Sequence, residues 1–177
     1  MLHRPAIFLD RDGVLCVEKS YVTQMEELEI FPYTKQCIEK IHQKGFLAIC
    51  ITNQSAVARG KMTEKTLQEI NRYLVKEMGL DALYYCPHHP DGIGKYQLKC
   101  NCRKPNTGMI ELAIKEWAID QKNSYMVGDR ASDVECGQKA GLKTILLESG
   151  YGTKRLEKPI EPDFIYKDLE EFVKIGF

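Results

Sequence analysis

Short apolar runs alternate with amphipathic stretches along this chain, and the alternation predicts its fold class. Five runs have the length of buried strands, at residues 6–9, 47–51, 83–85, 125–127 and 144–147, and a weaker one includes Phe164 and Ile165. Residues 63–78 and 106–119 instead place apolar side chains at helical spacing. Strands that alternate with helices indicate βαβ units, so we expect an α/β domain with a doubly wound, mostly parallel sheet.

Glycines mark the predicted helix ends. Gly45, Gly79 and Gly141 each follow a helical pattern and precede a strand or loop, as glycines at helix C-termini do. The segment after Tyr151 predicts a final strand and helix and carries no motif. The chain shows no repeat or low-complexity tract, and 177 residues suit one core. We therefore expect a single domain over residues 1–177.

Charge and hydropathy limit the classes of partner. Lysine plus arginine and aspartate plus glutamate both number 25, so no global field recruits nucleic acid or an anionic membrane. The N-terminus lacks the apolar core of a signal peptide, and no run approaches the ~20 apolar residues of a membrane span. We expect a cytoplasmic monomer with a small-molecule partner, and neither a nucleic acid nor a membrane partner.

The first predicted strand ends in two carboxylates one residue apart, in the run Asp10-Arg11-Asp12-Gly13. In α/β sheets reactive groups collect where strands end, and Gly13 allows the chain to turn away. The two acids can face a common centre, share a divalent cation and divide the roles of nucleophile and proton carrier. The competing interpretation is an ordinary Asp-Gly turn after a strand.

Two further polar clusters could contact a phosphate. The second strand is followed by Thr52-Asn53-Gln54-Ser55, where Thr52 is the candidate donor to a phosphoryl oxygen; such residues also favour turns and helix caps. Arg103 and Lys104 precede Pro105, and Lys104 could offset charge on a transferred group. A solvated surface pair is the alternative interpretation of these two cations.

A fourth cluster follows the strand at 125–127, where Gly128-Asp129 precedes Asp133. A turn that enters a helix could bring both acids to one cation or one lysine, although acids at a helix N-terminus also complement its dipole. Together the four clusters supply a nucleophile, a proton carrier, a phosphate donor, a cation and a metal ligand. Chance agreement among all four is much less expected than any one of them alone.

This ordered set of motifs resembles the haloacid dehalogenase superfamily of phosphatases over nearly the whole chain. The resemblance implies a Rossmann-like fold, attack of Asp10 on phosphorus, an aspartyl-phosphate intermediate, and Asp12 as general acid and then base. It also implies Mg²⁺ held by Asp10, the main-chain carbonyl of Asp12, and Asp129. Lys104 and Mg²⁺ would offset the charge on the phosphoryl group, with Asp133 in support.

Cysteine and histidine spacing predicts a second metal site. Seven cysteines without an export signal indicate thiols or metal ligands rather than a disulfide framework. The spacing Cys86-Pro-His88-His89, followed by Cys100-Asn-Cys102, suits a closed tetrahedral Zn²⁺ site, and the resemblance selects His88 over His89. A structural zinc would hold the zinc loop, residues 86–102, and by adjacency Arg103 and Lys104. Buried free thiols and a zinc ribbon for nucleic acid are the alternatives.

The gaps between motifs are too short for a large cap domain, so we expect an open site whose specificity comes from loops. Within the capless, zinc-carrying group the chain resembles the family of D-glycero-D-manno-heptose-1,7-bisphosphate phosphatases, which remove the C7 phosphate. That resemblance assigns substrate contacts to Glu18, Lys19, Ser20, Tyr21, Thr52, Asn53, Gln54, Ser55, Arg103, Lys104 and Arg130. Arg103 and Arg130 would reach the distal phosphate, and Arg130 stands where a lysine is common.

Two other functions remain open from the sequence. Histidinol-phosphate phosphatases share the catalytic set and the zinc, but bind an amine rather than a second phosphate. Glu18 could pair with an ammonium ion, whereas Arg130 and Arg59 favour an anion. A phosphosugar-binding protein without turnover is the other possibility, and the intact pair of Asp10 and Asp12 argues against it.

Overall fold

The computed structural model describes residues 3–156 and 160–176, which form one six-stranded sheet with helices on both faces. The strands are β1 (Ala6–Leu9), β2 (Leu47–Asn53), β3 (Ala82–Cys86), β4 (Tyr125–Gly128), β5 (Lys143–Leu147) and β6 (Phe164–Tyr166). The helices are α1 (Thr34–Gln43), α2 (Ser55–Ala58), α3 (Glu64–Met78), α4 (Gly108–Trp117), α5 (Ala131–Lys139) and α6 (Leu169–Ile175).

The strands lie in the order β3-β2-β1-β4-β5-β6, and each neighbouring pair is parallel. β1 therefore lies between β2 and β4, where the chain reverses the direction in which it adds strands. In open parallel sheets such a switch point forms a crevice at the carboxyl ends of the strands. This topology confirms the expected doubly wound parallel sheet and brings the residues after β1, β2 and β4 to one edge.

The side chains of β1 alternate between two apolar layers, one on each face of the sheet. Ile7 and Leu9 pack in a cluster that includes residues of α1, α3 and α6, whereas Ala6 and Phe8 pack with residues of α4 and α5. All four side chains are fully buried. A strand covered on both faces needs a continuous apolar run, which is why the sequence pattern locates β1 at its observed bounds.

The ends of β2 and α3 show how local hydrogen bonds set element length. β2 continues beyond the predicted residue 51, because its pairing with β3 extends to Asn53 and Cys86. α3 begins after Thr63, whose hydroxyl accepts a hydrogen bond from the amide of Thr66 at 3.1 Å. The helix ends at Gly79, which adopts the left-handed conformation with φ 74°.

α4 is shorter than the predicted helix over residues 106–119. At its start, the amide of Gly108 donates to the carbonyl of Asn101 at 2.9 Å, so the preceding residues follow the loop. At its end, Ala118 adopts the left-handed conformation with φ 47°. The apolar stripe of Ile110, Ala113, Ile114 and Trp117 lies entirely within the observed helix, so it predicts the helix but does not define its ends.

No large cap domain interrupts the described parts of the chain. Between β1 and α1 there is one short helical turn, at Met25–Glu27, and only α2 and α3 lie between β2 and β3. The zinc loop after β3 has another single turn, at Gly94–Tyr96. The crevice is therefore not covered by a second domain, as the motif spacing predicts. Over residues 3–156 and 160–176, we find no helix with the length and apolar character of a membrane span.

Candidate active site

A cavity of about 440 Å³ lies at the carboxyl ends of β1 and β2. Most of the predicted site residues line it: Asp10, Asp12, Glu18, Ser20, Tyr21, Asn53, Gln54, Ser55, Arg103, Lys104 and Arg130. Thr52 and Asp129 are buried and are not lining residues. Lys19 also does not line the cavity, because its ammonium group pairs with Glu29 at 2.9 Å and with the carbonyl of Glu27.

Lys104 is buried at the cavity, and its ammonium group contacts three acceptors. Nζ lies 2.9 Å from Asp10 Oδ1, 2.8 Å from Asp133 Oδ1 and 2.8 Å from the carbonyl oxygen of Ile51. Burial lowers the pKa of Lys104, but the charges of Asp10 and Asp133 outweigh it and raise that pKa above its ordinary value. Lys104 therefore stays charged and fixes one oxygen of Asp10.

Asp133 orients both Lys104 and the turn before α5. Its Oδ2 accepts hydrogen bonds from the amides of Asp129 and Arg130, at 3.2 and 3.1 Å, while Oδ1 faces the lysine. A carboxylate with both oxygens engaged in this way is suited to holding its neighbours in place. Asp133 lies so close to the backbone of Gly128 that a Cβ on residue 128 would be 2.1 Å from the Asp133 Cβ, which requires glycine at this position.

Asp129 is fully buried and has one oxygen without a hydrogen-bond partner. Oδ2 accepts from the amide of Tyr151 at 2.8 Å, whereas Oδ1 accepts no hydrogen bond. Burial, and then the charges of Asp10 and Asp133, raise the pKa of Asp129 to about 8. Oxygens of the three acids lie within 4.8 Å of one another, and the cations beside them are Lys104 and, 4.0 Å from Asp129 Oδ1, Arg130 Nε, which leaves three carboxylates facing two cations. These hard oxygen donors fit a divalent cation such as Mg²⁺.

Two glycines leave room beside Asp129. A Cβ on Gly13 would lie 2.4 Å from Asp129 Oδ2, and one on Gly150 would lie 2.1 Å from the same oxygen. Gly13 also has φ 85°, a conformation that side chains disfavour. The loops after β1 and β5 can therefore approach the carboxylate as closely as they do only with glycine at these positions.

Asp12 is held by a different cation from Asp10. The fully buried guanidinium of Arg11 donates to both oxygens of Asp12 from Nε and Nη2, at 2.9 to 3.2 Å. Gln54 Nε2 donates to Asp12 Oδ2 at 3.0 Å. The Asp12 side chain keeps 19% of its surface exposed. Asp10 is therefore fixed by Lys104, whereas Asp12 is fixed by Arg11 and remains partly exposed to the cavity.

The polar residues after β2 connect these groups. Gln54 Nε2 also donates to Thr52 Oγ1, at 2.9 Å. Asn53 pairs with the backbone of Lys104 in both directions: its Nδ2 donates to the carbonyl and its Oδ1 accepts from the amide, each at 3.0 Å. Asn53 therefore fixes the segment that carries Lys104.

Glu18, Arg130 and Tyr151 meet at the cavity. Arg130 Nη2 donates to Glu18 Oε2 at 2.9 Å, and its guanidinium carbon lies 4.2 Å from the centroid of the Tyr151 ring. The amide of Ser20 donates to Glu18 Oε1 at 2.6 Å, with Ser20 itself at φ 63°. The acidic side chain is thus engaged on both oxygens by this chain's own donors.

The predicted zinc ligands come together beside the cavity. Ligand atoms of Cys86, His88, Cys100 and Cys102 all lie within 4.8 Å of one another, and the three sulfur atoms are 3.1 to 3.4 Å apart. Three sulfur donors and one imidazole nitrogen in a compact group fit tetrahedral Zn²⁺. His89 stands apart from the cluster, with Nε2 3.4 Å from Arg59.

The cluster is linked to a cavity residue through one hydrogen bond. Arg103 Nη1 donates to the carbonyl oxygen of His88 at 3.2 Å. Burial raises the pKa of Cys100, but hydrogen bonds with Cys102 and Cys86 outweigh it and lower that pKa to about 7. Burial raises the pKa values of Cys86 and Cys102, so without a bound cation the group favours one thiolate, at Cys100.

Arg11, Gly150 and Tyr151 contact site residues but carry no motif that predicts a role for them. The signal that could have found the last two is the run Ser149-Gly150-Tyr151-Gly152 after β5, since polar runs after β1, β2 and β4 were read as site segments. Arg11 carried no such signal, because a charged residue after a strand is normally exposed.

Sequence comparison places the chain among phosphatases. A family model described as HAD-hydrolase-like matches residues 101–172. The D-glycero-alpha-D-manno-heptose-1,7-bisphosphate 7-phosphatase of Photorhabdus laumondii is 44% identical over 178 residues, which cover 95% of this chain and 94% of the relative. The D-glycero-beta-D-manno-heptose-1,7-bisphosphate 7-phosphatase of Haemophilus ducreyi is 41% identical over 154 residues, with 83% and 85% covered.

Solved structures give a similar result. The D,D-heptose 1,7-bisphosphate phosphatase of B. bronchiseptica, in complex with magnesium and phosphate, matches with a TM-score of 0.85 at 29% identity and 96% coverage of each chain. A HAD-like phosphatase from Mesorhizobium loti matches with a TM-score of 0.81 at 30% identity, covering 97% of this chain and 85% of its own. The likeness therefore extends over the sheet, the helices and the loops between them.

Proposed function

The chain belongs to the heptose-1,7-bisphosphate 7-phosphatase family of haloacid dehalogenase-like hydrolases, and from this premise we propose that it removes the C7 phosphate of D-glycero-D-manno-heptose 1,7-bisphosphate. One observation carries the proposal. Asp10 directly follows the central strand β1, with one oxygen fixed by Lys104 at 2.9 Å, and Asp129, a buried carboxylate without a hydrogen bond on Oδ1, lies beside it.

In the first step Asp10 attacks phosphorus. A bond forms between its carboxylate oxygen and phosphorus while the bond from phosphorus to the C7 oxygen breaks. Asp12 donates its proton to the departing sugar oxygen, so the sugar leaves as an alcohol. Lys104 offsets the negative charge on the transferring group, and the Thr52 hydroxyl, which is buried at the end of β2 and accepts a hydrogen bond from Gln54, would donate to a phosphoryl oxygen.

In the second step water attacks phosphorus of the aspartyl phosphate. Asp12, now ionised, accepts a proton from that water, and the bond between Asp10 and phosphorus breaks. Inorganic phosphate leaves and both carboxylates return to their starting states. Arg11 and Gln54 hold Asp12 in one orientation for both proton transfers.

Two metal ions complete the proposal. Asp10, Asp129 and the main-chain carbonyl of Asp12 would hold Mg²⁺, and a cation there would offset charge on the phosphoryl oxygens that a carboxylate must approach. The cluster Cys86, His88, Cys100 and Cys102 would hold a structural Zn²⁺. The zinc loop, fixed in this way, would hold Arg103 through its hydrogen bond to the carbonyl of His88, and by adjacency Lys104.

Substrate recognition falls to the loops, because no cap covers the cavity. Arg103 and Arg130 would bind the distal phosphate, while Glu18, Ser20, Tyr21 and Ser55 would face the sugar. The pairing of Glu18 with Arg130 favours the bisphosphate over histidinol phosphate, since the acid that could bind an ammonium ion is already engaged. The enzyme would act as a single-domain cytoplasmic monomer on this small phosphosugar.

The test is Mg²⁺-dependent phosphate release from the heptose bisphosphate and from histidinol phosphate, measured side by side. We expect a strong preference for the bisphosphate and no release by Asp10→Asn. Glu135→Gln is a matched control, because it removes the charge of a half-buried residue of α5 that pairs with Lys139, and it should leave turnover unchanged. A preference for histidinol phosphate would overturn the substrate assignment, and binding without release by the unaltered protein would overturn catalysis.

A further inference from the structure

Tyr151 lies in the turn after β5 and lines the active-site cavity through its side chain. Its ring faces the guanidinium of Arg130, with 4.2 Å between the ring centroid and the guanidinium carbon. Its main-chain amide donates to Asp129 Oδ2 at 2.8 Å. One residue thus contacts both the carboxylate proposed to hold Mg²⁺ and the cation proposed to bind the distal phosphate.

The ring has a physical effect on Arg130 that Glu18 alone cannot supply. Arginine loses much rotamer freedom when it is held in one geometry, and the Arg130 side chain is 45% exposed. An aromatic ring restricts the guanidinium by stacking on its flat face, which leaves the N–H groups at the edge available to an anion. Glu18 instead occupies Nη2 directly, at 2.9 Å.

The turn that carries Tyr151 is itself fixed by Asp129. The amide of Gly152 donates to the main-chain carbonyl of Asp129 at 2.9 Å, and Gly152 has φ 58°. A Cβ on Gly150 would lie 2.1 Å from Asp129 Oδ2. The backbone on both sides of Tyr151 therefore contacts Asp129. These contacts restrict the position of the Tyr151 ring beside Arg130.

We propose that Tyr151 is a specificity-determining positioning residue, whose ring orients Arg130 toward the second phosphate of a bisphosphate substrate. The inference rests on the proposed function, because it requires Arg130 to bind that phosphate. It extends the set of substrate-selecting residues to the turn after β5, to which the sequence motifs assigned nothing. The ring should not change KM for substrates that lack the distal phosphate.

The test compares Tyr151→Leu, which removes the ring and keeps the amide, with Tyr151→Phe, which keeps both. For the heptose 1,7-bisphosphate we expect Tyr151→Leu to raise KM about fivefold with kcat within about twofold. For heptose 7-phosphate, which lacks the distal anion, KM should not change. Tyr151→Phe should behave as the unaltered protein, as should the control Tyr73→Leu, which removes an exposed tyrosine of α3.

Arg130→Ala separates this inference from the proposed function. If Arg130→Ala leaves KM for the bisphosphate unchanged, the distal-phosphate assignment itself fails. If Arg130→Ala raises KM and Tyr151→Leu does not, only the role of Tyr151 is overturned. That role is also overturned if Tyr151→Leu raises KM equally for the 1,7-bisphosphate and the 7-phosphate. In the Arg130→Ala background, Tyr151→Leu should have no further effect. Tyr151→Met replaces the leucine variant if that variant does not fold.

Discussion

At the scale of single residues, the site is an arrangement of carboxylates around few cations. Asp10 and Asp133 share Lys104, Asp12 has Arg11, and Asp129 keeps one oxygen without a hydrogen-bond partner. The sequence indicates where Asp10 and Asp129 lie, because each comes at the end of an apolar run that forms a central strand. It does not indicate which partner each side chain takes, since those pairings depend on contacts between residues distant in the chain.

Mg²⁺ binding should release a proton near neutral pH. The pKa of Asp129 is raised to about 8, so below that pH the metal must displace a proton from the carboxylate. We expect the affinity for Mg²⁺ to fall by up to about tenfold per pH unit below pH 8. Calorimetry in two buffers of different ionisation enthalpy measures the proton directly. A proton count near zero at pH 7, or one that persists in Asp129→Asn, would contradict this origin.

The same shift makes the stability of the metal-free protein depend on pH. The folded pKa of Asp129 lies above its unfolded value, so this group's contribution is present at low pH and is lost as pH rises toward 8. We expect added Mg²⁺ to raise Tm more at pH 8.5 than at pH 6. The difference between the two pH values should disappear in Asp129→Asn, and its persistence there would point to another group.

Lys104→Met should show how much the positive charge of Lys104 contributes to stability and turnover, because methionine keeps a similar side-chain length without the charge. The variant leaves Asp10 and Asp133 buried without their counter-ion, and breaking a buried ion pair of this kind costs about 3–5 kcal/mol. We expect a lower Tm and a fall in kcat of about 10³ or more. Lys174→Met, at an exposed position of α6, is the control. Turnover within tenfold of the unaltered protein would show that Lys104 does not stabilise the transferring phosphoryl group.

At the scale of elements, strand ends place the chemistry. β1, β2 and β4 were predicted close to their observed bounds, because central parallel strands are continuous apolar runs. Helix ends were less predictable: α4 stops where Ala118 becomes left-handed, and its apolar stripe does not define that end. Tyr151 lies in a polar run after β5 to which no motif was assigned, and its contacts with Asp129 and Arg130 exist only in the fold.

The zinc loop should depend on its metal. Its residues between the two ligand pairs are mostly exposed or half-buried, so little apolar packing orders them. We expect Cys100→Ser to lower both zinc content and turnover, because Arg103 is tied to the loop through the carbonyl of His88. Metal analysis and phosphate release on the same sample provide the test, with Cys37→Ala, a buried thiol of α1, as the control. Full turnover by a zinc-free variant would contradict the link.

At the scale of the whole molecule, topology makes the motifs converge. Four segments far apart in sequence meet because β1 lies between β2 and β4 in a parallel sheet. The capless architecture follows from short gaps between motifs and was predictable for that reason. The resemblance to the heptose bisphosphate phosphatases predicted Arg130 as a substrate contact, but no spacing in the sequence reveals that the Tyr151 ring lies against its guanidinium.

The most direct test of the central claim, that Asp10 attacks phosphorus, is a burst experiment on Asp12→Asn with p-nitrophenyl phosphate and Mg²⁺. Because p-nitrophenolate leaves without a proton, the first step needs no general acid, whereas hydrolysis of the intermediate still needs the base. The account predicts a burst of one equivalent of p-nitrophenol and one phosphoryl group on the peptide that contains Asp10. The absence of a burst, or a phosphoryl group on another residue, would contradict it.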